Sequence, residues 1–210
     1  WIAAREPDLV IAWPDAPSRS LVSRLGALGI PVYQAPSETL AQALDVAADM
    51  GRLLGLEARA DSAVAAVRAG LDSVRAAVAG LDRPDVLFLI GLDPVMAAGP
   101  GTFLDELVAI AGGRNVLEGT GLKWPQLALE DIVARAPDVI LIGSGSVLAG
   151  SDDAAPDPAA RLRGRPGWRD VPAVRTGRVH AVDPNDVNRP GPDLHASAAL
   201  LARLIHGVAP

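Results

Sequence analysis

Two tryptophans occupy positions where an aromatic side chain could contact a ligand. Trp13 ends the apolar run DLVIAW, and Trp124 stands in a loop between two predicted helices. In open α/β sheets, ligands bind beyond the carboxyl ends of the strands, which is where we expect Trp13. An indole provides about 150–250 Å² of contact surface and suits a large, partly apolar ligand. The alternative is that each ring fills the core of its own lobe, and the spacing alone does not choose between the two.

Charged residues near these loops have two interpretations as well. Glu130 and Asp131 begin a predicted helix, where the helix dipole favours acids by about 0.3–1 kcal/mol. That effect alone would explain them. Arg189 lies in NRPGPDL, before the last predicted helix. It is either a surface arginine or an anchor for a carboxylate or amide of a ligand.

Enzyme and metal-site signatures are missing from the sequence. GSGS (143–146) lacks the G-x-S-x-G spacing of a nucleophile elbow. GPGT (99–102) has neither the Gly-Lys-Ser/Thr ending of a phosphate loop nor, with Leu104 in place of the third glycine, a dinucleotide fingerprint. The three histidines have no metal-ligand spacing. We therefore predict no catalytic residue and no metal site.

The composition excludes several classes of protein. Half of the 210 residues are apolar and the net charge is −6, which argues against disorder and gives no basic surface for nucleic acid. The absence of cysteine excludes a disulfide framework and thiolate metal sites. No apolar run approaches the roughly 20 residues that a membrane span needs.

A repeated segment indicates how the chain is organised. AREPDLVI (4–11) returns as ARAPDVIL (134–141), at an offset of 130 residues. A residue before proline is disfavoured in helix, so each copy predicts a helix end, a tight turn and a buried parallel strand. A weaker similarity joins 29–35 to 177–183. The sequence therefore predicts two related α/β halves.

Between these halves lies a helical segment. Residues 37–84 have apolar positions at helical spacing, with Ser37 as the candidate N-cap and Gly55 as a possible kink. We interpret the segment as one very long helix, or two in line, that acts as a strut. The predicted domains are a partial N-terminal lobe (1–36), a long linker helix (37–83) and a C-terminal lobe (84–210).

The predicted halves are unequal. Only 36 residues precede the linker, so the first lobe is expected to be N-terminally incomplete. The repeat offset puts the counterpart of Glu130 just before Trp1. An acidic position on each lobe would suit docking onto a two-fold symmetric basic partner. The later elements are predicted as strands at 85–91, 138–143 and 178–182 and helices at 102–111, 128–136, 159–163 and 192–206.

Four segments together resemble a known family: EPDLVIAW, GTFLDELVAIAGGRNV, WPQLALEDIVARAPDVILI and PAVRTGRVHAVDPNDVNRPGP. They are similar to the helical-linker class of periplasmic substrate-binding proteins, which serve ABC importers of cobalamin, ferric siderophores and haem. The resemblance covers essentially the whole chain. It implies an α/β fold of two lobes with central, mostly parallel sheets joined by a long helical linker.

The cobalamin-binding members look closest. By that resemblance Trp13 and Trp124 would line the corrinoid pocket. Ile90, which stands where such a protein has a Phe, would line it too. Arg189 matches a cleft arginine that lies four residues after a ligand-contacting Asp. Here that earlier position is Asn185, which is a departure from the cobalamin pattern.

The resemblance also implies a partner and a location. Glu130 matches a glutamate that pairs with arginines of the membrane permease dimer, and the first-lobe glutamate would immediately precede Trp1. The expected protein is a non-enzymatic monomer with a corrinoid as transported ligand, no catalytic cofactor, no metal site and no nucleic-acid partner. It would lie in the periplasm or be lipid-anchored outside the cytoplasmic membrane, and its signal segment is not in this chain.

Other functions stay open at this point. A ferric siderophore would favour several arginines, and haem would favour a Tyr or His axial ligand, for which Tyr33 shows no clear orientation. An enzyme related to the nitrogenase-type cluster subunits would need cysteines to hold its clusters. A sensor domain for another membrane partner is the third alternative.

Overall fold

Both copies of the sequence repeat form parallel strands, in two separate units of the chain. The computed structural model describes residues 1–14, 16–143, 158–187 and 191–207, with the side chains of 16–18 left aside. Unit 1 is Trp1–Ala60 and unit 2 is Asp61–Pro210. The strands are β1 (Val10–Ala12), β2 (Val32–Gln34), β3 (Asp85–Leu92), β4 (Val95–Ala97), β5 (Arg114–Asn115), β6 (Val139–Ile142) and β7 (Val179–Ala181).

Nine α-helices lie in the described ranges, together with 3₁₀ turns at Ala3–Arg5 and Trp168–Asp170. The helices are α1 (Ala16–Ala27), α2 (Leu40–Leu54), α3 (Glu57–Val78), α4 (Phe103–Ile110), α5 (Leu129–Arg135), α6 (Pro158–Arg163), α7 (Pro172–Thr176), α8 (Pro184–Val187) and α9 (Leu194–His206). None of them, over the residues described, is both long and apolar enough to cross a membrane.

Unit 1 is a small βαβ arrangement. β1 and β2 pair in parallel, with Val10 opposite Val32, and α1 connects them. Among the described residues of this unit, only Leu25 and Leu40 are buried apolar side chains. The N-cap of α2 is Thr39, whose hydroxyl accepts a hydrogen bond from the Gln42 N–H at 3.2 Å, and not Ser37 as the sequence suggests.

The predicted linker segment contains two helices, α2 and α3, separated by a break at Gly55. Gly55 ends α2 in the left-handed conformation, with φ 66°. A Cβ on Gly51 would lie 2.4 Å from the Cβ of Ala60, whereas nine residues of one continuous helix would separate such atoms by about 13 Å. The expectation of one rod, or two helices in line, is therefore replaced by a tight packing of α2 on the start of α3.

Unit 2 is built on a five-stranded sheet. β3 is central: β6 pairs with one of its edges, and β5 and β4 pair with successive parts of the other. β7 pairs with β6. All these pairs are parallel except β3–β4, which is antiparallel and irregular between Leu89 and Gly91. The sheet is therefore mostly parallel, as the sequence indicates.

The two faces of this sheet are covered by different helices. Leu87, Leu89, Ile140 and Ile142 belong to one buried cluster with residues of α5, α6 and α7. On the other face Val86 lies near Val108 of α4 and Ile205 of α9, around Gly113. This period-two alternation gives unit 2 a three-layer α/β/α core. The mixed α/β fold with largely parallel sheets is confirmed.

Candidate ligand-binding surfaces

Trp13 is exposed at the carboxyl end of a parallel strand. It follows β1 directly, and 48% of its surface is accessible. The ladder closes just before it, where the Ala35 N–H donates to the Ala12 carbonyl at 2.9 Å. The pairing of β1 with β2 therefore fixes the backbone next to Trp13. Within unit 1 the indole ring is not packed into a core.

Trp124 is held at both neighbouring residues by backbone hydrogen bonds. The Gly99 N–H donates to the Lys123 carbonyl at 2.7 Å, and the Ala97 N–H donates to the Pro125 carbonyl at 3.1 Å. The indole is 40% exposed. By contrast Trp168, in the same unit, is 4% exposed and belongs to the core. Trp124 therefore lies in a loop whose backbone is anchored on both sides, and its ring is partly exposed.

A polar network lies beneath the strand-to-helix turn at 99–102. The Thr102 hydroxyl donates to the Gly99 carbonyl at 2.9 Å and accepts from the Asp105 N–H at 3.2 Å. Asn115 donates from Nδ2 to the Ala98 carbonyl at 3.0 Å and to Asp105 Oδ1 at 2.8 Å. Thr102 and Asn115 are both buried. The turn is therefore fixed by side chains as well as by backbone.

Ile90 and Asn185 lie in unit 2, near the carboxyl ends of their strands. Ile90 is partly buried on β3, where the pairing with β4 becomes irregular. Asn185 is exposed on α8, and both its backbone N–H and its Nδ2 donate to Asp183 Oδ1, at 2.8 and 2.9 Å. Arg189 lies outside the described residues.

A cavity of about 450 Å³ adjoins Asn185 at the junction of α8 and α9. Its volume is within the usual range of small-molecule sites. It is lined by Asn185, Asp186, Gly191, Pro192, Asp193, Ala196, Ser197, Leu200 and Arg203. Its lining combines charged side chains of both signs, such as Asp186 and Arg203, with apolar ones such as Leu200.

Glu130 lies in the first turn of α5. It and Asp131 are exposed, and the N-cap residue Ala128 provides no side-chain hydrogen bond to the helix. The first N–H groups of α5 therefore rely on the helix-terminal acids for favourable electrostatics. This is the structural explanation for the acid pair, and it leaves the Glu130 carboxylate accessible to a partner.

The phenol of Tyr33 is engaged within unit 1. Its hydroxyl donates to Asp49 Oδ2 at 2.5 Å, and Asp49 also accepts from Arg52. The hydrogen bond to Asp49 raises the pKa of Tyr33 to about 12, and the same bond lowers the pKa of the Asp49 carboxyl. Tyr33 therefore keeps its proton at neutral pH.

Two of the three histidines also have structural roles. His206 places Nε2 2.9 Å from the Ala111 carbonyl oxygen. His195 packs on α3, where a Cβ on Gly70 would lie 2.6 Å from the His195 Cβ. Within the described part of the chain, no group of three or more His, Asp or Glu side chains could hold a metal ion.

A family model described as periplasmic binding protein matches residues 2–185. The chain belongs to this family. It is 32% identical over 211 residues to the cobalamin-binding protein of Halobacterium salinarum, covering 98% of this chain and 55% of the relative. The chain spans about half the length of the curated relatives it matches.

Solved structures in the same group share the fold. The periplasmic haem-binding protein RhuT from Roseiflexus sp. RS-1 superposes with a TM-score of 0.83 at 26% identity, covering 100% of this chain and 79% of that one. The periplasmic vitamin B12-binding protein BtuF of Vibrio cholerae superposes with a TM-score of 0.75 at 22% identity, covering 97% and 76%. The resemblance inferred from the sequence motifs is confirmed at the level of this family.

The predicted site residues of this periplasmic binding protein are distributed over both units. Trp13 belongs to unit 1, and Ile90, Trp124, Asn185 and Glu130 belong to unit 2. Sequence reasoning missed the charged lining of the cavity beside Asn185, notably Asp186 and Arg203. Arg203 stands in the apolar run ALLARLIH near the end of a helix, where a cation is expected for the dipole alone, so the sequence carried no separate signal for it.

Proposed function

We propose that this chain captures a corrinoid and delivers it to an ABC importer. The observation that carries the proposal is the pair of exposed indoles, Trp13 in unit 1 and Trp124 in unit 2, at 48% and 40% exposure. An aromatic ring gains most when it is covered by a flat, partly apolar surface. Each ring is therefore proposed as a contact surface for the corrinoid. Ile90, Asn185 and Arg189 are proposed as further contacts.

The choice of a corrinoid over haem rests on two considerations. Relatives with cobalamin in their names match over most of the chain. Tyr33, the only tyrosine, is hydrogen-bonded to Asp49 and remains protonated at neutral pH, so it is poorly suited to serve as a tyrosinate ligand of haem iron. Haem stays the alternative because of the RhuT likeness, and a ferric siderophore is the third candidate.

Glu130 is proposed as the contact with the permease dimer of the importer. Its exposure at the start of α5 supports this role, since a rim charge accelerates association with an oppositely charged partner. We further propose that the protein acts as a monomer without a catalytic step. Its location would be the periplasm, or the outer face of the cytoplasmic membrane through a lipid anchor.

Ligand class is tested by visible-absorption titration of the chain with cyanocobalamin, haemin and a ferric hydroxamate. We expect saturable binding of cyanocobalamin and much weaker binding of the other two. Trp13→Ala and Trp124→Ala should each weaken cyanocobalamin binding by about 30-fold, as aromatic hot spots do. The matched control is Trp1→Ala, which removes a ring that is 89% exposed and contacts Arg5 only locally. Unchanged affinity in both variants would exclude the proposed pocket.

Docking is tested separately from binding. Glu130→Arg should reduce uptake of cyanocobalamin into proteoliposomes that contain the cognate permease, while the titrated affinity stays at the wild-type value. Asp82→Arg, at another exposed acid of unit 2, is the control. Equal uptake by the two variants would refute the role of Glu130.

A further inference from the structure

The turn GPGT, residues 99–102, makes its hydrogen bonds to neighbouring groups of the protein. The Gly99 carbonyl accepts from Thr102, and the Gly101 N–H donates to Asp105 Oδ2 at 3.0 Å. These groups are therefore committed to the protein itself. What the turn presents to its surroundings is the Gly99 N–H, which binds the loop that carries Trp124.

Gly99 allows a close approach that no other residue type could. A Cβ at this position would lie 1.9 Å from the Leu122 carbonyl oxygen and 3.2 Å from that of Lys123. Both are backbone atoms, so the loop would have to move. Gly99 has no left-handed φ, so the glycine is required by space alone. The residue immediately beyond this contact is Trp124.

The network of buried side chains fixes the position of the turn. Thr102, at 0% exposure, and Asn115, at 8%, hold the carbonyls of Gly99 and Ala98. Asp105 connects the two side chains, and Asn115 Oδ1 accepts from the Leu117 N–H at 3.0 Å. Buried polar networks whose members are all paired are rigid and admit one arrangement.

We propose that Gly99, Thr102 and Asn115 are positioning residues that preset the Trp124 indole for ligand. The inference rests on the proposed function, because it assumes that Trp124 contacts the ligand. The chain of contacts runs from Asn115 and Thr102 to the turn, from Gly99 to Lys123, and from there to the adjoining Trp124. Fixing the backbone of an aromatic contact residue before binding lowers the ordering cost that binding would otherwise carry.

The test is a double-mutant cycle of Gly99→Ala with Trp124→Ala, read by cyanocobalamin titration. Gly99→Ala should weaken binding by about 10-fold, less than Trp124→Ala, because the ring is misplaced and not removed. In the Trp124→Ala background it should have no further effect. Gly80→Ala is the matched control, since a Cβ there meets nothing within 4 Å. Additive losses in the cycle would overturn the proposal.

A second measurement does not depend on the ligand. Acrylamide quenching of Trp124 is obtained as the difference between each protein and its Trp124→Phe counterpart. Gly99→Ala should change that difference, and Gly80→Ala should not. Unchanged quenching would overturn the positioning role. If quenching changes but the wild-type chain binds no cyanocobalamin, the proposed function fails and the positioning role stands.

Variants of Thr102 test the positioning role independently of Gly99, with a control for misfolding. Thr102→Val removes the donor to Gly99 at nearly constant volume, and Thr102→Ser retains it. We expect weakened cyanocobalamin binding and altered Trp124 quenching in the valine variant, with recovery of both in the serine variant. Circular dichroism monitors the fold of each protein. Equal behaviour of the two variants would contradict the network's role.

Discussion

The two copies of the repeated segment follow the same backbone path but are buried to different degrees. Glu6 and Ala136, each before proline, are the non-glycine residues with positive φ in the described chain, at 45° and 47°. Val10 pairs with Val32 as Ile140 pairs with Val179. The first hydrogen bond of each strand pair is 3.0 Å long, from the Val10 N–H to the Pro31 carbonyl and from the Ile140 N–H to the Arg178 carbonyl. The last is 2.9 Å long, from the Ala35 N–H to the Ala12 carbonyl and from the Val182 N–H to the Ile142 carbonyl. The repeat is therefore structural as well as sequential.

Burial separates the copies. Ile11 is 57% exposed, whereas its counterpart Leu141 is 0% exposed. β6 lies between β3 and β7 with helices on both faces, while over the described residues β1 pairs with β2 alone. The Pro-Asp-apolar pattern therefore specifies a turn and a strand. The surrounding layers decide how much that strand contributes to stability.

The largest expected difference between the copies is in core energetics. Leu141→Ala should destabilise unit 2 by about 2–5 kcal/mol, since it leaves a cavity in a closed core. Ile11→Ala should cost less than about 0.5 kcal/mol, because that side chain is already largely in water. Urea unfolding followed by fluorescence of the buried Trp168 and by circular dichroism measures both. A comparable cost at the two positions would mean that β1 is covered in solution.

The second prediction concerns Tyr33, which opposes Ile11 as His180 opposes Leu141. Because this is the only tyrosine, phenolate absorbance reports it alone. We expect a titration midpoint near pH 12, set by the hydrogen bond to Asp49, and a midpoint near the ordinary value of about 10 in Asp49→Asn.

Ionisation of Tyr33 is also expected to lower the stability of unit 1 at alkaline pH. The pKa of Tyr33 is raised on folding, so the hydrogen bond contributes fully below pH 10 and its contribution is lost as pH rises through about 12. Tyr33→Phe should remove this alkaline component of unit 1 unfolding. A midpoint near 10 in the wild-type protein would show that the Tyr33–Asp49 bond does not persist in solution.

A smaller effect is expected at the left-handed residues of the repeat. Glycine adopts positive φ without the steric cost of a Cβ, so Ala136→Gly and Glu6→Gly should each stabilise the chain by up to about 1 kcal/mol. Thermal unfolding measures the gain. Ala134→Gly, two residues earlier in the helical turn, is the control and should destabilise. A gain at only one copy would show that the two turns are not equally constrained.

The smallest effect is expected at the ion pair of Arg114 with Asp85. Arg114 donates from Nε and from a terminal nitrogen, at 2.6 and 2.8 Å, and the pair raises the pKa of the guanidinium. Arg114 is 58% exposed, so solvent and salt screen the interaction. Arg114→Gln should leave the urea midpoint of unit 2 unchanged within error. A clear loss would show that this pair anchors the start of β3.

Local patterns in the sequence predicted most elements of unit 2. The observed bounds of strand β3 and helix α4 differ from the predicted ones by no more than a residue or two, and Thr102 is the N-cap of α4. Apolar runs and helix caps can be recognised from neighbouring residues alone. Strand β4 was not predicted. It is three residues long, follows a turn and exists through pairing with β3, which a linear pattern does not reveal.

The break of the helical segment at Gly55 and the anchoring of the Trp124 loop could not be predicted for the same reason: both involve contacts that local sequence patterns do not reveal. Helical spacing continues through Gly55, and the break at this residue lets Gly51 pack against Ala60. The residue type and loop position of Trp124 are visible in the sequence, but the hydrogen bonds made by Gly99 and Asn115 join residues that are distant along the chain. The sequence thus predicted which side chains are notable, and not the contacts that hold them.

Lys123, whose carbonyl receives the Gly99 N–H, is the only lysine in the chain and is exposed. Apart from the terminal amine, amine-reactive dyes therefore have one attachment point, next to the Trp124 ring. A single labelling reaction would convert this chain into an optical reporter of occupancy at this loop. For the same reason, immobilisation through amines would attach the molecule by its proposed recognition surface, and sensor chips prepared in that way would underestimate its affinity.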